Sequence, residues 1–163
     1  MGTSHKLVLD DAWEFDFSLV AIHCSLEDYR MVYQLNRSLD MQLTRSRIDL
    51  DLKAKEVYAR FPLYHYWDEV HYLNYHLVSN SCRAIAQEIM STDGLFAGRE
   101  IQGKSYHLLP ELPKADYLLR IKSESYAFAK AKLLASINKI PQVITAYEVI
   151  VDQLKEKNNL IFE

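Results

Sequence analysis

The chain has 163 residues, of which 49% are hydrophobic, 12% aromatic and 25% charged. This composition supplies enough apolar surface for a packed core and excludes a disordered or collagen-like chain. Nineteen basic and 22 acidic residues give a net charge of −3, which excludes DNA as an expected partner and disfavours RNA. We predict one α+β domain over residues 1–163, located in the cytoplasm, with neither a signal peptide nor a membrane span.

The chain begins with a predicted hairpin and a helix. Two short β-rich runs, residues 4–9 and 17–24, lie on either side of an acidic turn. Ser25, with Asp28 three positions later, resembles a capping box, and helical periodicity then predicts a helix over residues 25–39. The stripe on its core side consists of Tyr29, Val32, Leu35 and Leu39.

Strands are predicted in the middle of the chain. Ile48, Leu50 and Leu52 alternate with charged residues, as in a strand with one face in water. Two aromatic-rich runs, residues 58–67 and 70–78, then lie on either side of a two-residue acidic turn. This arrangement is typical of a hairpin.

The register of this hairpin is predicted to place Tyr66 opposite His71 and Tyr64 opposite Leu73. Odd-numbered residues of the first run then share a face with even-numbered residues of the second. Both faces carry bulky side chains, so we expect helices of the same chain or a partner subunit to cover both. The candidate interface consists of Tyr64, Tyr66, Trp67, His71, Tyr72 and Tyr75.

The next segment is predicted to contain a short helix and a strand pair. Residues 82–90 predict the helix, and a glycine-rich loop follows it. Residues 106–109 and 116–121 look like two strands that pair around a segment with two prolines, which forbid a regular ladder there.

The last third of the chain is predicted to hold a long helix, residues 126–140, which Pro141 ends, and a β-branched strand over residues 142–151. The whole pattern predicts a mostly antiparallel sheet of about six to eight strands. The two main helices, 25–39 and 126–140, pack on this sheet, and residues 82–90 form a short third helix.

The two cysteines have different candidate roles. Cys24 and Arg30 have the spacing of the cysteine-dependent phosphatases, but Glu27 and Asp28 would place two negative charges in the anion-binding loop. A buried thiol at the end of a strand is therefore favoured, although its position beside a helix start predicts a lowered pKa and reaction with oxidants. Cys24 and Cys82 lie far apart and are expected to be reduced.

The histidines are the candidate metal ligands. His65, His71 and His76 lie close in sequence, but the predicted register puts His71 on the opposite face and the other two roughly 13 Å apart. We therefore predict no metal site. The chain also lacks the glycine loops of nucleotide-binding proteins and the serine-hydrolase elbow, so no cofactor is predicted.

One pair of carboxylates is a candidate for acid–base chemistry. Glu111 and Asp116 lie at opposite ends of the segment with two prolines. Carboxylates are common acceptors in turns, and we favour this structural role over catalysis.

These carboxylates belong to a recognisable motif. Residues 109–117, Leu-Pro-Glu-Leu-Pro-Lys-Ala-Asp-Tyr, resemble the pattern after which the bacterial IPExxxVDY family is named, with Leu109 in place of Ile and Ala115 in place of Val. The resemblance carries no active site over to this chain. It singles out a candidate functional motif of Pro110, Glu111, Asp116 and Tyr117.

The resemblance extends beyond the motif. Residues 5–11, 17–28 and 158–162 are also similar to members of this family, so the resemblance spans most of the chain. Genes of the family tend to lie near those for ribonuclease III and fatty-acid synthesis. This implies an adaptor role linked to RNA or to acyl carriers.

We interpret the chain as a non-catalytic protein-interaction module that binds a protein partner or associates with itself as a homodimer. One alternative is an RNA- or ribosome-associated adaptor that uses exposed aromatic rings and basic residues. The other is an enzyme in which Glu111, Asp116 and Tyr117 converge in a pocket. The basic residues of the first alternative are Arg45, Arg47, Lys53 and Lys55.

Overall fold

The computed structural model describes residues 15–54, 57–84, 104–124 and 128–162, which form ten strands, two α-helices and two short 3-10 helices. The strands are β1 (Ser18–Cys24), β2 (Thr44–Arg45), β3 (Leu50–Ala54), β4 (Val57–Phe61), β5 (Leu63–Asp68), β6 (Leu73–Ser79), β7 (Ser81–Ala84), β8 (Lys104–His107), β9 (Tyr117–Ser123) and β10 (Val143–Val149). The helices are α1 (Asp28–Leu39) and α2 (Lys130–Asn138), and the 3-10 helices span Val151–Gln153 and Lys157–Leu160. Neither α1 nor α2 is long and apolar enough to cross a bilayer.

The main sheet has six strands in the order β10-β1-β9-β6-β5-β2, and each neighbouring pair is antiparallel. β3 pairs with β4, and β7 pairs with β8, as separate two-stranded sheets. The predicted α+β class with a mostly antiparallel sheet is confirmed. The six strands of the main sheet are at the lower end of the predicted range of about six to eight.

Each side of the main sheet buries its own hydrophobic cluster, because successive side chains of a strand point to opposite sides. On one side, which we call the helix side, Ile22, Leu77 and Leu119 pack with α1 and α2. On the opposite side, Leu19 and Leu118 pack with β4, with residues 108–115 and with the 3-10 helices. The chain itself therefore covers both faces, and on the opposite side hairpins and 3-10 helices take the place of the expected helices.

Helix α1 begins at Asp28, three residues later than predicted. The predicted capping box is wrong, because the Asp28 carboxylate instead accepts hydrogen bonds from the Tyr29 N–H (2.8 Å) and from the Tyr64 hydroxyl (3.1 Å). Tyr29 is 57% exposed, so it does not belong to the core stripe. The residues of α1 that are buried are Met31, Val32 and Leu35.

The first aromatic run is not one strand, because Pro62 divides it. Proline has no N–H to donate to a ladder, and β4 ends just before it while β5 begins just after it. β4 pairs with β3 in a separate hairpin, whereas β5 joins the main sheet. Ile48 lies before β3 and is 79% exposed, so it is not part of the predicted alternation.

The β5–β6 register also differs from the prediction. Tyr66 pairs with Tyr75 and Tyr64 with Leu77, because residues 69–72 form the turn and β6 begins later than expected. The partner of each β5 residue thus lies four positions further along. An even shift keeps every strand side chain on its predicted face, so the predicted division between the two faces survives the wrong register.

Residues 82–84 lie in strand β7, so the predicted helix over residues 82–90 does not begin there. Residues 85–90 and the glycine-rich loop lie outside the described residues, as does the first run, residues 4–9. The predicted pairing of residues 106–109 with 116–121 is wrong. β8 pairs with β7, and β9 lies between β1 and β6 in the main sheet.

Helix α2 and strand β10 are shorter than their predicted ranges, 126–140 and 142–151. α2 ends at Asn138, whose side chain donates to the Ala146 carbonyl (2.9 Å) and accepts the Ala146 N–H (2.8 Å). These two bonds satisfy backbone groups in the middle of β10, an edge strand of the sheet. The amide therefore blocks part of the edge on which another strand could add.

Candidate functional site

Residues 109–117 fold around the side chain of Asn80, which is fully buried. Its Nδ2 donates to the carbonyls of Leu112 (2.8 Å) and Ala115 (3.0 Å), and its Oδ1 accepts the N–H of Leu109 (2.8 Å). Because the two prolines prevent a regular ladder, the Asn80 amide supplies hydrogen bonds that a neighbouring strand would otherwise make.

Glu111 connects the motif to the C-terminal segment. Its Oε1 accepts the backbone N–H groups of Lys155 (2.7 Å) and Glu156 (2.8 Å), which lie between the two 3-10 helices. These two hydrogen bonds stabilise the ionised carboxylate and lower the pKa of Glu111. Pro110 beside it is exposed. Glu111 thus has the contacts of a turn-capping residue.

Asp116 binds the end of strand β1. One carboxylate oxygen, Oδ2, accepts the Cys24 N–H (2.9 Å) and lies 2.6 Å from Nδ1 of His23. The pairing of β1 with β10 shifts at this point, between His23 and Cys24. The carboxylate therefore satisfies a backbone group at a strand irregularity, a place where β-ladder partners are interrupted.

Tyr117 connects β9 to the segment before helix α1. Its hydroxyl donates to the Leu26 carbonyl at 2.5 Å, and only 6% of the residue is exposed. Burial raises the pKa of Tyr117, so the hydroxyl keeps its proton and remains a donor at neutral pH.

The structure gives Glu111 and Asp116 separate partners. Glu111 binds the segment between the 3-10 helices, and Asp116 binds the end of β1. Tyr117 is directed to a third place, the Leu26 carbonyl. The three side chains of the motif therefore contact three different parts of the chain.

The six residues of the candidate interface occupy two different environments. Tyr75 is only 6% exposed, and its ring stacks on that of Tyr66 with centroids 5.9 Å apart. Tyr64 is half-buried and donates its hydroxyl to Asp28 on α1. These three tyrosines lie on the helix side of the sheet and pack against its core.

The other three candidate residues lie at the β5–β6 turn. The rings of Trp67 and Tyr72 meet edge to face with centroids 6.3 Å apart, and the two residues are 36% and 54% exposed. His71 is also exposed, with Nδ1 2.7 Å from the Asp68 carboxylate. That carboxylate also accepts the N–H groups of Val70 and His71, so Asp68 fixes the conformation of the turn.

An open cleft of about 700 Å³ lies beside this turn, between the end of α1 and the beginning of α2. We call it the aromatic cleft. Its apolar walls include Leu39, Met41, Leu73, Tyr75, Phe128 and Leu133. Its polar lining includes Asp40, Asp68, His71 and Lys132. Two of the candidate interface residues at the turn, His71 and Tyr72, therefore line a concave surface with apolar walls.

Two lining residues have backbone angles that favour glycine. Asp40 follows the last turn of α1 with φ of 51°, and Tyr72 has φ of 55°. Aspartate tolerates this left-handed region, but a tyrosine there is unusual and costs on the order of 1 kcal/mol. The strained backbone is held by Asp68 and by the Glu124 N–H, which donates to the Tyr72 carbonyl at 3.1 Å. Such strain is concentrated at functional sites.

The histidine geometry differs from the prediction. His65 and His76 are directly paired, with ring centroids 6.5 Å apart rather than about 13 Å, because the β5–β6 register is shifted. His71 lies in the turn and not on a strand face. Within the described residues, no group of three or more His, Cys, Asp and Glu side chains could hold a metal ion.

The predicted low pKa of Cys24 is wrong. The thiol is buried, with Sγ 3.6 Å from the Met31 sulfur, and burial raises its pKa despite a hydrogen bond with the backbone of Leu26. Helix α1 begins four residues after Cys24, so its positive end does not stabilise a thiolate there. Cys82 is half-buried, and both thiols are free.

The basic residues of the RNA alternative that the structure describes lie on the segment from β2 to β3. Arg45 forms an ion pair with Asp49 and lies over the Tyr64 ring, 5.6 Å from its centroid. Arg47 and Lys53 are exposed, and Lys55 lies outside the described residues. The exposed pair Trp67 and Tyr72 lies instead beside the aromatic cleft.

Three polar residues of the described chain were absent from the sequence-based hypotheses. Asn80 has no recognisable pattern around it, and His23 is an ordinary strand residue in the sequence. Arg120 did have a signal, because it interrupts a run of apolar residues in a predicted strand. A charged residue in such a run indicates a buried charge.

Comparisons with models of known protein families, with curated proteins and with solved structures found no match. The resemblance of residues 109–117 to the IPExxxVDY family therefore stays a prediction. The function has to be argued from the geometry described above.

Proposed function

We propose that this chain is a non-catalytic interaction module of the cytoplasm and that it associates with itself through the aromatic cleft. We also propose, from the sequence resemblance, that it belongs to the IPExxxVDY family. The contacts of Glu111, Asp116 and Tyr117 support a structural role for that motif.

One observation carries the self-association proposal: strongly exposed apolar side chains line the aromatic cleft. Val70 and Tyr72 at the β5–β6 turn are 80% and 54% exposed, and both form part of the lining of this cleft. A twofold dimer uses the same patch on both subunits, so the patch must be complementary to itself. The cleft meets this condition if the exposed Val70 and Tyr72 of each copy pack against the apolar walls of the other.

The charges around the cleft are also suited to a second copy. Asp40 and Lys132 both line it, both are exposed, and neither forms an ion pair with another described residue. In a twofold arrangement, Asp40 of each copy can face Lys132 of the other. Such complementary charges fix the orientation of an interface more than they add affinity.

Other surfaces of the main sheet offer less to a second copy. Both faces are covered by the chain, and the Asn138 amide occupies backbone groups in the middle of the β10 edge. At the other edge, β2 has only two residues. This favours the cleft over the sheet face or edge.

The first experiment measures mass by light scattering after size-exclusion chromatography over a micromolar concentration series. We expect a dimer for the wild type and a monomer for Val70→Asp, because burying an unpaired carboxylate in the interface is strongly unfavourable. Ile144→Asp is the matched control, since Ile144 is also exposed (67%) but lies on β10. A monomeric wild type, or dimers lost equally in both variants, would contradict the proposal.

The second experiment exchanges the charges. Lys132→Glu alone should weaken the dimer, because it brings two acidic groups together, and the double variant Asp40→Lys/Lys132→Glu should restore it. Circular dichroism and thermal unfolding check that each variant is folded. If the double variant is no better than Lys132→Glu, the two residues do not face each other and the twofold arrangement is wrong.

A further inference from the structure

A row of three basic side chains crosses the opposite side of the main sheet. Arg120 on β9 pairs with His76 on β6, which pairs with His65 on β5. Directly opposed residues of antiparallel strands have neighbouring side chains on one face. The rings of His65 and His76 accordingly lie 6.5 Å apart. We call these three residues the basic row.

Arg120 is the buried end of this row. It is 6% exposed, and its guanidinium lies between two aromatic rings, 4.8 Å from the centroid of Phe17 and 5.0 Å from that of Phe162. Its Nε and Nη1 are buried and have no hydrogen-bond partner among the residues that the structure describes. No carboxylate within the described part of the chain forms an ion pair with it.

The two histidines extend the row toward solvent. The Nδ1 of His76 is also buried and has no hydrogen-bond partner in the described ranges, and the ring lies 5.4 Å from that of Phe162. His65 is exposed, with Nδ1 3.2 Å from the Ser46 hydroxyl. The row therefore runs from an unpaired buried cation, past an unsatisfied imidazole, to an exposed imidazole at the other end.

An unpaired buried guanidinium is energetically unfavourable. Removing such a charge from water is costly, and each cation–π contact returns only a part of that cost. Two aromatic faces therefore offset the cost only in part. Within the described residues, no negative charge with hydrogen-bond acceptors pairs with this guanidinium.

We propose that the basic row is a binding site for a small monocarboxylate with an apolar body, whose carboxylate pairs with Arg120. This site is separate from the aromatic cleft. Two observations favour a single negative charge over a phosphate dianion: the site offers one permanent positive charge, and the surrounding walls are the rings of Phe17 and Phe162. The apolar body of the ligand replaces Phe162 over the guanidinium.

Phe162 is suited to be displaced. It follows the second 3-10 helix and is half-buried. Outside the helices and strands, no described residue forms a backbone hydrogen bond with Phe162. Rotation of this one side chain uncovers Arg120 and the His76 ring together, because Phe162 contacts both.

The experiment uses benzoate as the probe and benzamide as its neutral control. We expect benzoate to raise the melting temperature with rising concentration, as a ligand of the folded state does, and benzamide to leave it unchanged. In the wild type, benzoate should also shift the NMR signal of the Arg120 Nε–H. Phe162→Ala should bind benzoate several-fold more tightly, because the competing ring is gone.

Arg120→Met tests the assignment directly and should weaken benzoate binding about tenfold or more, since the charge-assisted pair is lost. A benzoate effect that persists in Arg120→Met, or the absence of any shift of the Arg120 signal in the wild type, overturns the site. An equal or larger response to inorganic phosphate overturns the choice of a monocarboxylate.

Discussion

Asn80 and Arg120 are two buried polar side chains that differ in their partners. The Asn80 amide is neutral and makes hydrogen bonds to three backbone groups of the motif within 3.0 Å. Arg120 is charged, and two of its nitrogens have no partner. The comparison separates a buried polar group that organises the fold from one that has no ionic partner among the described residues.

The difference follows from what each side chain replaces. Asn80 takes the place of a strand beside a segment where proline prevents one, so its donors and acceptors match backbone groups that would otherwise be unpaired. Arg120 lies between two aromatic rings, which stabilise its charge but accept no strong hydrogen bond. The next predictions test this contrast with changes in stability.

Asn80→Ala should have the largest effect. It removes the bonds of the Asn80 amide with the Leu109 N–H and with the carbonyls of Leu112 and Ala115, and we expect a loss of about 3–5 kcal/mol in the free energy of unfolding. Urea denaturation measures this loss. Asn36→Ala is the comparison, since the half-buried Asn36 binds only the N–H and carbonyl of Leu43; we expect about 1–2 kcal/mol there. Equal losses would mean that Asn80 has no special role.

The second prediction concerns His76 and acid. Burial, with the charge of Arg120 and the neighbouring His65, lowers the pKa of His76 from 6.5 to about 4. The unfolded chain therefore binds more protons than the folded one between these values, so stability falls as the pH drops from 6.5 to 4. The loss should be about 3 kcal/mol, and it should be absent above pH 7.

His76→Gln provides the control for the acid measurement, because it cannot take up a proton. Urea denaturation at pH 7 and at pH 4.5 should show a much smaller difference for this variant than for the wild type. Carboxylates such as Asp68 contribute to acid sensitivity at lower pH than His76 does. Burial raises the pKa of Asp68, but its hydrogen bonds with His71 and Val70 outweigh this and lower the pKa, so its contribution to the free energy of unfolding is lost only at lower pH. An unchanged slope in His76→Gln would show that another group is responsible.

Some features of the fold could be predicted from the sequence, and others could not. Alternation with period two predicted correctly which β5 and β6 side chains share a face. Helical spacing predicted α1, and Pro141 marked the end of the range predicted for α2. The register was not predictable in the same way, because it depends on Asp68 binding the N–H groups of Val70 and His71, which moves the turn. Pro62 carried a readable signal, since it cannot lie inside a central strand.

The candidate sites, too, could be predicted from the sequence only in part. The motif was visible in sequence, but its role depends on Asn80, which lies 29 residues before Leu109 and shows no pattern of its own. The aromatic cleft could not be predicted, because it forms where α1, α2 and the β5–β6 turn meet. Arg120 was detectable as a charge in an apolar strand, but only the structure shows that two of its nitrogens lack a partner.

The third prediction is that Arg120→Met stabilises the protein in a buffer without carboxylates. Methionine fills a similar volume between Phe17 and Phe162 and removes an unpaired buried charge, so we expect a gain of about 1–3 kcal/mol. Urea denaturation gives the sign of the change, which is the opposite of that for Asn80→Ala. A destabilised Arg120→Met would mean that the aromatic sandwich stabilises the charge more than burial destabilises it, and the contrast with Asn80 would lose its basis.

The smallest effects concern the two residues with positive φ at the aromatic cleft. Asp40→Gly should raise the free energy of unfolding by about 0.5–1 kcal/mol, because glycine fits the left-handed position after a helix without steric cost. Tyr72→Gly relieves more strain but removes the edge-to-face contact with Trp67, worth about 0.5–1.5 kcal/mol, so its net change should be close to zero. We expect light scattering to show that Tyr72→Gly is monomeric while its free energy of unfolding is unchanged, because the exposed ring packs against the second copy. A Tyr72→Gly variant that still forms the dimer would show that the Tyr72 ring is not part of the interface.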